Sequence, residues 1–400
     1  MATAPTVANK QQNQNAQKAA PQPIPFTRAS RRKSQQAAAE TYTLALASTT
    51  PARPIELPAA GFIRYIEMLI DVNTTGNSAA VAAPAGTFGF PWNIINSMQI
   101  TNAAGDSITV PLDGYLLYLI NKYGGNWEPP NCDPYADPQF EAVTAGAGAT
   151  GGSFQIRLKF PFEQDVRDAF CALPNLAANK AYQVVIQWGA VNTVFAGGTA
   201  PNGAATLTMT TVAHYWSQPQ ATNGAGMPQE TEPRGTGSVS LYRLQADTVS
   251  AGSRVMQLYN VGNVIRWGAF ILQSSAANQP RTDADFPAIS YLRLNNDQLF
   301  YKMQGNWEAE MRERYGFGTS AVTKDAAGFL DTGVYVLSDF MSQHEHVTPD
   351  SPRDQYLVTL DSTLFQYEAA VFGALAQQFR FLQNEIKPKD AASLYSLNVV

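Results

Sequence analysis

Charged side chains are scarce in this sequence. Lys, Arg, Asp and Glu make up 15% of 400 residues, and histidine occurs three times. Cysteine occurs only as Cys132 and Cys171. Two cysteines in a chain of this length do not form a disulfide framework, so we expect free thiols and folding in a reducing cytoplasm. The low charge also indicates that much of the surface meets other protein.

Long apolar runs and common catalytic motifs are missing as well. No run of eighteen apolar residues occurs, so we expect no membrane-spanning helix. The start, Met-Ala-Thr-Ala-Pro, has no basic or apolar signal region, so we expect no secretory signal. Neither a G-x-x-x-x-G-K-[ST] phosphate loop nor a G-x-S-x-G nucleophile elbow is present. The sequence therefore offers no familiar motif for nucleotide or ester hydrolysis.

What the sequence does contain is turn residues and a long-range repeat. It has 29 glycines and 25 prolines, and its length suits two domains. A spaced pattern of Arg, apolar, Gly, Ile-Arg and aromatic residues occurs twice, with Arg53 and Arg254 separated by 201 positions and Arg64 and Arg266 by 202. The pattern comprises Arg53, Ile55, Leu57, Gly61, Ile63, Arg64 and Tyr65, then Arg254, Met256, Leu258, Gly262, Ile265, Arg266 and Trp267. A period of this length is that of a domain and predicts a duplication.

Further segments match once the repeat is aligned. Residues 95–102 match 289–296, residues 181–186 match 355–360, and residues 206–210 match 378–382. Helices are predicted at 114–123 and 306–315, each ending in Tyr-Gly, and shorter ones at 163–170 and 364–378. The helix predicted at 114–123 is apolar and the helix predicted at 306–315 is highly charged, so we expect the two to lie in different surroundings.

The remaining apolar runs are short, alternate with polar residues and end at turn signals. Residues 154–160 are the clearest case, with one apolar and one polar face. Many short strands with few helices are typical of a jelly roll. The predicted fold class is all-β: two tandem eight-stranded jelly rolls (β-sandwiches), with short helical insertions and a disordered basic N-terminal arm. The predicted domains are an arm at 1–39, jelly rolls at 40–216 and 238–400, and a linker at 217–237.

The predicted arm is basic. Residues 1–39 contain six Lys or Arg, no acidic residue and one aromatic residue, Phe26. The arm carries +6, which leaves −11 for the other 361 residues. Such a segment buries too little apolar surface to offset the entropy of ordering. The candidate binding residues for an anionic surface are Arg28, Arg31, Arg32 and Lys33. Lipid headgroups, nucleic acid and an acidic face of a neighbouring subunit are the possible partners, and a solubilising arm is the alternative.

Residues from about 40 to 400, with the two all-β copies, the paired Tyr-Gly helices and the N-terminal arm, resemble a known family. They are similar to the double jelly-roll major capsid proteins of tailless icosahedral phages with an internal membrane (tectivirus-type), whose fold adenovirus hexon shares. The resemblance implies a homotrimer that tiles a capsid lattice as pseudo-hexagonal blocks and contacts pentons and minor capsid proteins. It also implies an arm directed toward the internal membrane, location in the virion after assembly in the host cytoplasm, no enzymatic activity and no cofactor. No recognition of a specific nucleic-acid sequence is expected.

Three alternatives remain at this stage. A receptor- or carbohydrate-binding jelly roll would use the tryptophans as a platform. A metal-dependent bicupin would use His344 and His346, which share one side of a strand, with Asp350, but no later histidine completes the site. Cys171 with a histidine is a candidate nucleophile pair, although Cys171-Ala-Leu-Pro174 is typical of a buried small residue after a helix. We predict no catalytic, cofactor or metal site.

Overall fold

The computed structural model describes most of the chain. The described residues are 22–124, 139–141, 151–164, 167–177, 181–233, 236–249, 252–257, 264–274, 280–294, 297–319, 323–326, 328–337, 365–372 and 377–387. None of the helices in these ranges is long and apolar enough to span a membrane.

The described residues of the first part of the chain form ten strands, two 3-10 turns and three helices. The strands are β1 (Arg32–Thr43), β2 (Thr50–Pro51), β3 (Ile55–Glu56), β4 (Gly61–Thr75), β5 (Ile95–Thr101), β6 (Gln139–Glu141), β7 (Ser153–Pro161), β8 (Leu173–Asn175), β9 (Gln183–Trp188) and β10 (Ala204–Trp216). The helices are α1 (Phe26–Ala29), α2 (Gly114–Tyr123) and α3 (Val191–Val194), and the 3-10 turns are Gly86–Phe88 and Trp92–Ile94.

The second part contains eight strands and one helix in the described residues. The strands are β11 (Val239–Val249), β12 (Gly252–Gln257), β13 (Val264–Ser274), β14 (Ile289–Leu294), β15 (Asp297–Met303), β16 (Val334–Leu337), β17 (Phe365–Phe372) and β18 (Gln377–Lys387). The helix is α4 (Gln304–Tyr315).

The two parts repeat one strand order. In the first, one sheet runs β1-β10-β4-β7, and a second sheet joins β3 and β5 to β9. In the second, the sheets run β11-β18-β13-β16 and β12-β17-β14-β15. Every named pairing is antiparallel, and α2 and α4 each precede the last strand of the first-named sheet. The duplicated jelly-roll fold predicted from the sequence is confirmed, and we call the two parts the first and second copy.

The repeated arginines mark the same irregularity in both copies. In the first copy the register against β10 skips Arg64, because Tyr65 pairs with His214 and Ile63 with Tyr215. In the second copy the register against β18 skips Arg266, between Ile265 and Trp267. A β-bulge bends a strand and changes the direction of its side chains, so we take a bulge at the same place in both copies as a feature of the fold. The repeat seen in the sequence is therefore a repeat of one bulged strand.

The register also corrects parts of the sequence alignment. The bulges equate His214 with Asn384, which shifts the predicted match of 206–210 with 378–382 by two residues. The strand order equates β9 with β17, so the predicted match of 181–186 with 355–360 is wrong. Residues 355–360 themselves lie outside the described residues. Both alignment errors arose because any two short strands with alternating apolar and polar residues resemble each other in sequence.

Two details of the predicted elements also differ. In the first copy, the place of β15 is taken by a segment that forms only isolated bridges, Met98 with Leu112 and Thr101 with Ser107. The predicted helix at 364–378 is wrong, because Phe365–Phe372 is β17. The predicted helix at 163–170 is wrong too, since its described residues form turns and a bridge.

The N-terminal segment is the main correction to the fold. We predicted that residues 1–39 would be disordered, but the described part contains α1 and the first strand, which begins at Arg32 and pairs with β10 along its length. The strand is rich in Gln and Ala, so its sequence gives no apolar period. Its order comes from backbone hydrogen bonds to β10, which any side chain permits. The domain boundaries at 216 and 238 remain predictions; β10 ends at Trp216 and β11 begins at Val239.

The predicted difference between the two Tyr-Gly helices is present in the structure. All ten residues of α2 are buried, and Asp113 caps its start by accepting a hydrogen bond from the Leu116 amide at 2.8 Å. Helix α4 buries only Trp307, Met311 and Tyr315, and it ends at Gly316, whose φ of 65° is left-handed. Thus α2 lies inside the molecule while α4 keeps one face in solvent.

Candidate functional site

The four candidate cations of the N-terminal segment lie close together in the chain and are all exposed. Arg28 is in α1, Arg31 follows it, and Arg32 and Lys33 begin β1. Among the described residues, none of the four forms an ion pair. We call these four residues the basic cluster.

An aromatic platform fixes the position of this cluster. The Phe26 side chain is buried and meets the rings of Phe62 and Trp216 edge-on, at centroid distances of 5.3 and 6.2 Å. Ala169 and Ala172 complete the group, which is separate from the main core. Edge-to-face aromatic pairs add to the apolar burial that holds such a group together. The only aromatic residue of the predicted arm is therefore its anchor.

Backbone hydrogen bonds attach the same segment to residues of the predicted linker. The Ile24 amide donates to the Pro228 carbonyl at 2.9 Å, and the Phe26 amide donates to the Glu230 carboxylate at 2.9 Å. Arg31 and Ser217 bond through two contacts, from the Arg31 amide to the Ser217 hydroxyl and from the Ser217 amide to the Arg31 carbonyl. These contacts hold the backbone of the basic cluster against the end of β10.

A buried carboxylate lies beneath the platform. Glu163 accepts hydrogen bonds from the Trp216 indole at 2.6 Å and the Arg64 guanidinium at 2.7 Å. Burial raises the pKa of Glu163, while Arg64 opposes that rise. The Arg32 guanidinium lies 4.8 Å from the Trp216 ring centroid, a cation–π distance. Arg64 is neutralised by Glu163, so the net positive charge is left to the exposed basic cluster.

The structure describes only some of the residues considered above as candidates for catalysis, metal binding or sugar binding. His344, His346, Asp350 and Cys132 lie outside the described residues. Within the described part of the chain, no three His, Cys, Asp or Glu side chains are placed to share a metal ion. His214 contacts Glu67 at 3.0 Å and stacks on Tyr65, while Cys171 is buried. The described tryptophan side chains are buried as well, which weighs against a sugar-binding platform: Trp92, Trp188, Trp216 and Trp307.

The contact between the two copies is the functional feature that sequence reasoning missed. Lys122 of α2 lies 2.9 Å from Asp331 of the second copy, and the hydroxyls of Tyr118 and Tyr123 donate to the same carboxylate. Nearby, the Tyr315 hydroxyl donates to the Tyr123 carbonyl at 3.2 Å. No local pattern could reveal these contacts, because their partners are some two hundred positions apart.

A second set of contacts joins the copies at the other end of α2. The Arg281 amide donates to the Thr87 carbonyl at 2.8 Å, and its guanidinium donates to the Gly86 carbonyl and to Asp325. Asp113 accepts a hydrogen bond from Arg380 at 2.7 Å. Buried charges carry a desolvation cost and are retained where both partners are held in place. The two copies are thus joined by charged and aromatic contacts in a defined orientation.

Comparisons with known proteins identify this arrangement. No protein-family profile matches the sequence, and no curated protein matches it significantly. Among solved structures, the chain is similar to the major capsid protein of Sulfolobus turreted icosahedral virus, with a TM-score of 0.60 and 14% identity over 89% of this chain and 96% of that one. The PBCV-1 virus capsid gives a TM-score of 0.54 and 11% identity, over 89% and 93% of the two chains. The major capsid protein P2 of bacteriophage PM2 gives 0.50 and 11%, over 90% and 99%.

The similar structures cover nearly the whole of each chain, so the likeness extends over both copies and not over a single jelly roll. The chain has the double jelly-roll fold of these viral major capsid proteins. The family resemblance stated from the sequence is confirmed at the level of the fold.

Proposed function

We propose that this chain is a viral major capsid protein, a structural subunit that has no catalytic activity. The observation that carries the proposal is the pair of jelly rolls with one strand order, joined by buried contacts, together with the full-length likeness to capsid proteins. Two rigidly joined copies give each subunit two similar lateral edges. Three such subunits form a block with six similar sides, which tiles a shell.

The basic cluster is proposed to face the interior of the shell and to bind an anionic layer, for which an internal membrane is the favoured source. Support comes from the exposure of Arg28, Arg31, Arg32 and Lys33 and from the platform that fixes them. Each cation near an anionic bilayer contributes about 1 kcal/mol. The effect of one subunit is modest, but many copies on one surface act together.

Purified protein tests the capsid proposal. Light scattering coupled to size exclusion should give a trimer, and negative-stain electron microscopy should show hexagonal blocks, sheets or shells. A protein that stays monomeric at high concentration contradicts the proposal.

Vesicle flotation tests the basic cluster separately. Wild-type protein is compared with Arg28→Gln/Arg31→Gln and with the control Arg53→Gln/Lys387→Gln, which removes two exposed cations elsewhere. On vesicles of mixed phosphatidylcholine and phosphatidylserine, the first variant should bind about thirtyfold more weakly and the control about as well as wild type. Equal binding by all three proteins would overturn the assignment, and preferential binding to nucleic acid would reassign the anion.

A further inference from the structure

A cavity lies where the first copy meets β11 of the second copy. Its volume is about 430 Å³, and it is partly open to solvent. Residues 107–111 of the first copy form one wall, and residues 241–245 of β11 form another. Pockets that bind small molecules have volumes of about 300–1,000 Å³ and lie preferentially where two domains meet. The cavity therefore has the size and the position of a ligand site.

Contacts within each copy and between the copies fix these walls. The Ile108 amide donates to the Ile100 carbonyl at 2.8 Å, and the Ile100 amide donates to the Thr109 hydroxyl at 2.9 Å. Strand β11 pairs with β18 along its whole length. Between the copies, the Phe160 and Tyr242 rings meet edge-on with their centroids 5.9 Å apart. The cavity is thus formed before a ligand arrives, which lowers the cost of binding.

The walls of the cavity are mainly apolar. Apolar atoms make up most of its surface, and the apolar side chains that line it include Ile108, Val110, Leu241, Leu244 and Phe381. A void against such side chains forfeits dispersion contacts, which a bound hydrocarbon chain restores. Five residues of a strand span about 16 Å, so an elongated ligand fits the β11 wall better than a compact one. The body of the ligand is therefore expected to be a hydrocarbon chain.

Arg243 provides the polar end of the site. It is the only charged residue among those that line the cavity in the described part of the chain. Its Nε atom lies 3.0 Å from the carboxylate of Glu385, whose side chain is fully buried. The Arg243 side chain is 36% exposed, and no described residue is hydrogen-bonded to its two Nη groups. A guanidinium group presents five N–H donors, so Arg243 can bind Glu385 and a ligand oxygen at the same time.

The charges of this ion pair determine which head group fits. Glu385 neutralises Arg243, so a carboxylate head would bring a second negative charge close to Glu385. A cationic head would be repelled by Arg243. An uncharged head with acceptor oxygens avoids both penalties and accepts hydrogen bonds from the Nη groups. The amides of Gln99 and Gln245 and the hydroxyl of Ser107 also line the cavity and suit such a head.

We propose that this cavity binds one molecule of an uncharged single-chain lipid, of the monoacylglycerol class, between the two copies. The acyl chain lies between residues 107–111 and β11, and an oxygen of the head group accepts from Arg243. Because the lipid contacts both copies of one chain, it stabilises their relative orientation. The site is complete within a single chain, so it does not depend on the proposed capsid function, and a protein that never assembles should still bind the lipid.

Three amphiphiles that share one chain length test the class of ligand. Monolaurin, laurate and dodecyltrimethylammonium are titrated below their critical micelle concentrations, and binding is followed by native mass spectrometry and calorimetry. Monolaurin should bind as one molecule per chain, about tenfold more tightly than either charged probe, and should raise the midpoint of thermal unfolding. No binding, equal binding of all three probes or saturation at many molecules per chain would overturn the proposal. Tighter binding of laurate would overturn the assignment of an uncharged head.

Two substitutions locate the site. Val110→Trp fills the cavity and should weaken monolaurin binding by about tenfold or more, whereas the matched control Val255→Trp, at a position 56% exposed and outside the cavity, should bind as wild type does. Arg243→Lys keeps a positive charge beside Glu385 but removes the forked donor, so it should weaken binding about tenfold. Thermal unfolding without lipid checks that each variant folds. Unchanged binding by folded Val110→Trp would place the lipid elsewhere and overturn the site.

Discussion

The Lys122 ammonium group lies 2.9 Å from the Asp331 carboxylate, and the two side chains, one from each jelly roll, are 0% and 2% exposed. The hydroxyls of Tyr118 and Tyr123 donate to the same carboxylate, so with Lys122 the charge of Asp331 has three partners within the protein. This cluster holds the two copies in one orientation, as the proposed function requires.

Breaking this pair should be costly. Lys122→Met or Asp331→Leu alone leaves one buried charge without its partner, and we expect each to lower the free energy of unfolding by about 3–5 kcal/mol. The double variant Lys122→Met/Asp331→Leu should lose less than the sum, because it removes both charges. Denaturant titrations of the four proteins measure this. Single variants as stable as wild type would show that the pair is not what joins the copies.

Gly61 of the repeated motif should resist substitution. Its φ is 148°, and a Cβ atom at this position would lie 2.0 Å from the Trp216 carbonyl oxygen. We expect Gly61→Ala to cost about 1–3 kcal/mol or more, since β4 and the end of β10 must separate. Gly224→Ala is the matched control, with open space at its Cβ and no left-handed φ. Thermal unfolding compares the two, and equal midpoints would contradict the close approach.

Phe26 should act as the anchor of the basic cluster. Phe26→Ala removes the ring that contacts Phe62 and Trp216, and burial of an aromatic ring of this kind is worth about 3–5 kcal/mol. We expect the N-terminal segment to detach locally, so that trypsin cleaves after Arg28 and Arg31 at least tenfold faster while the remaining fragment stays folded. Leu46→Ala, at an exposed position, should leave the cleavage rate unchanged. Unaltered cleavage of the Phe26 variant would mean that the backbone hydrogen bonds suffice.

Acid should weaken the first copy through Glu67. Hydrogen bonds from His214 and Arg157 lower the pKa of Glu67 from 4.5 to about 2, although burial opposes this. Because the folded pKa lies below the unfolded one, the carboxylate stabilises the fold above pH 4.5, and this contribution is lost as the pH falls from 4.5 through about 2. Melting curves at a series of pH values should show a smaller loss over this window for Glu67→Gln than for wild type. Parallel pH profiles would rule out the assignment.

The strand pattern and the duplication were readable from the sequence because both are local. Alternation along β7 follows from one apolar and one polar face, and the repeated Arg64 and Arg266 mark one bulge in each copy. The Tyr-Gly ends of α2 and α4 were readable for the same reason. The first strand was not readable, because an edge strand of Gln and Ala is stabilised by the backbone of β10 and leaves no apolar period in its own sequence.

The candidate site divides in the same way. The sequence identified Arg28, Arg31, Arg32 and Lys33 by their charge, and marked Phe26 as the one aromatic residue among them. It did not show that Phe26 is buried against Phe62 and Trp216, since those partners lie far along the chain. This segment is too polar to fold alone, and the packing of the Phe26 ring against Phe62 and Trp216 contributes to its order.

By itself the sequence determined that the protein consists of two similar β domains with unlike helices, because period, turn residues and helix ends are properties of neighbouring residues. Only the tertiary structure decided that α2 is the helix enclosed between the copies and that α4 keeps one face open. The apolar sequence of α2 indicated that the two helices differ, but the burial of each helix depends on which surfaces of the two copies pack together. Contacts such as Lys122 with Asp331 and Asp113 with Arg380 determine this packing, and each joins residues more than two hundred positions apart.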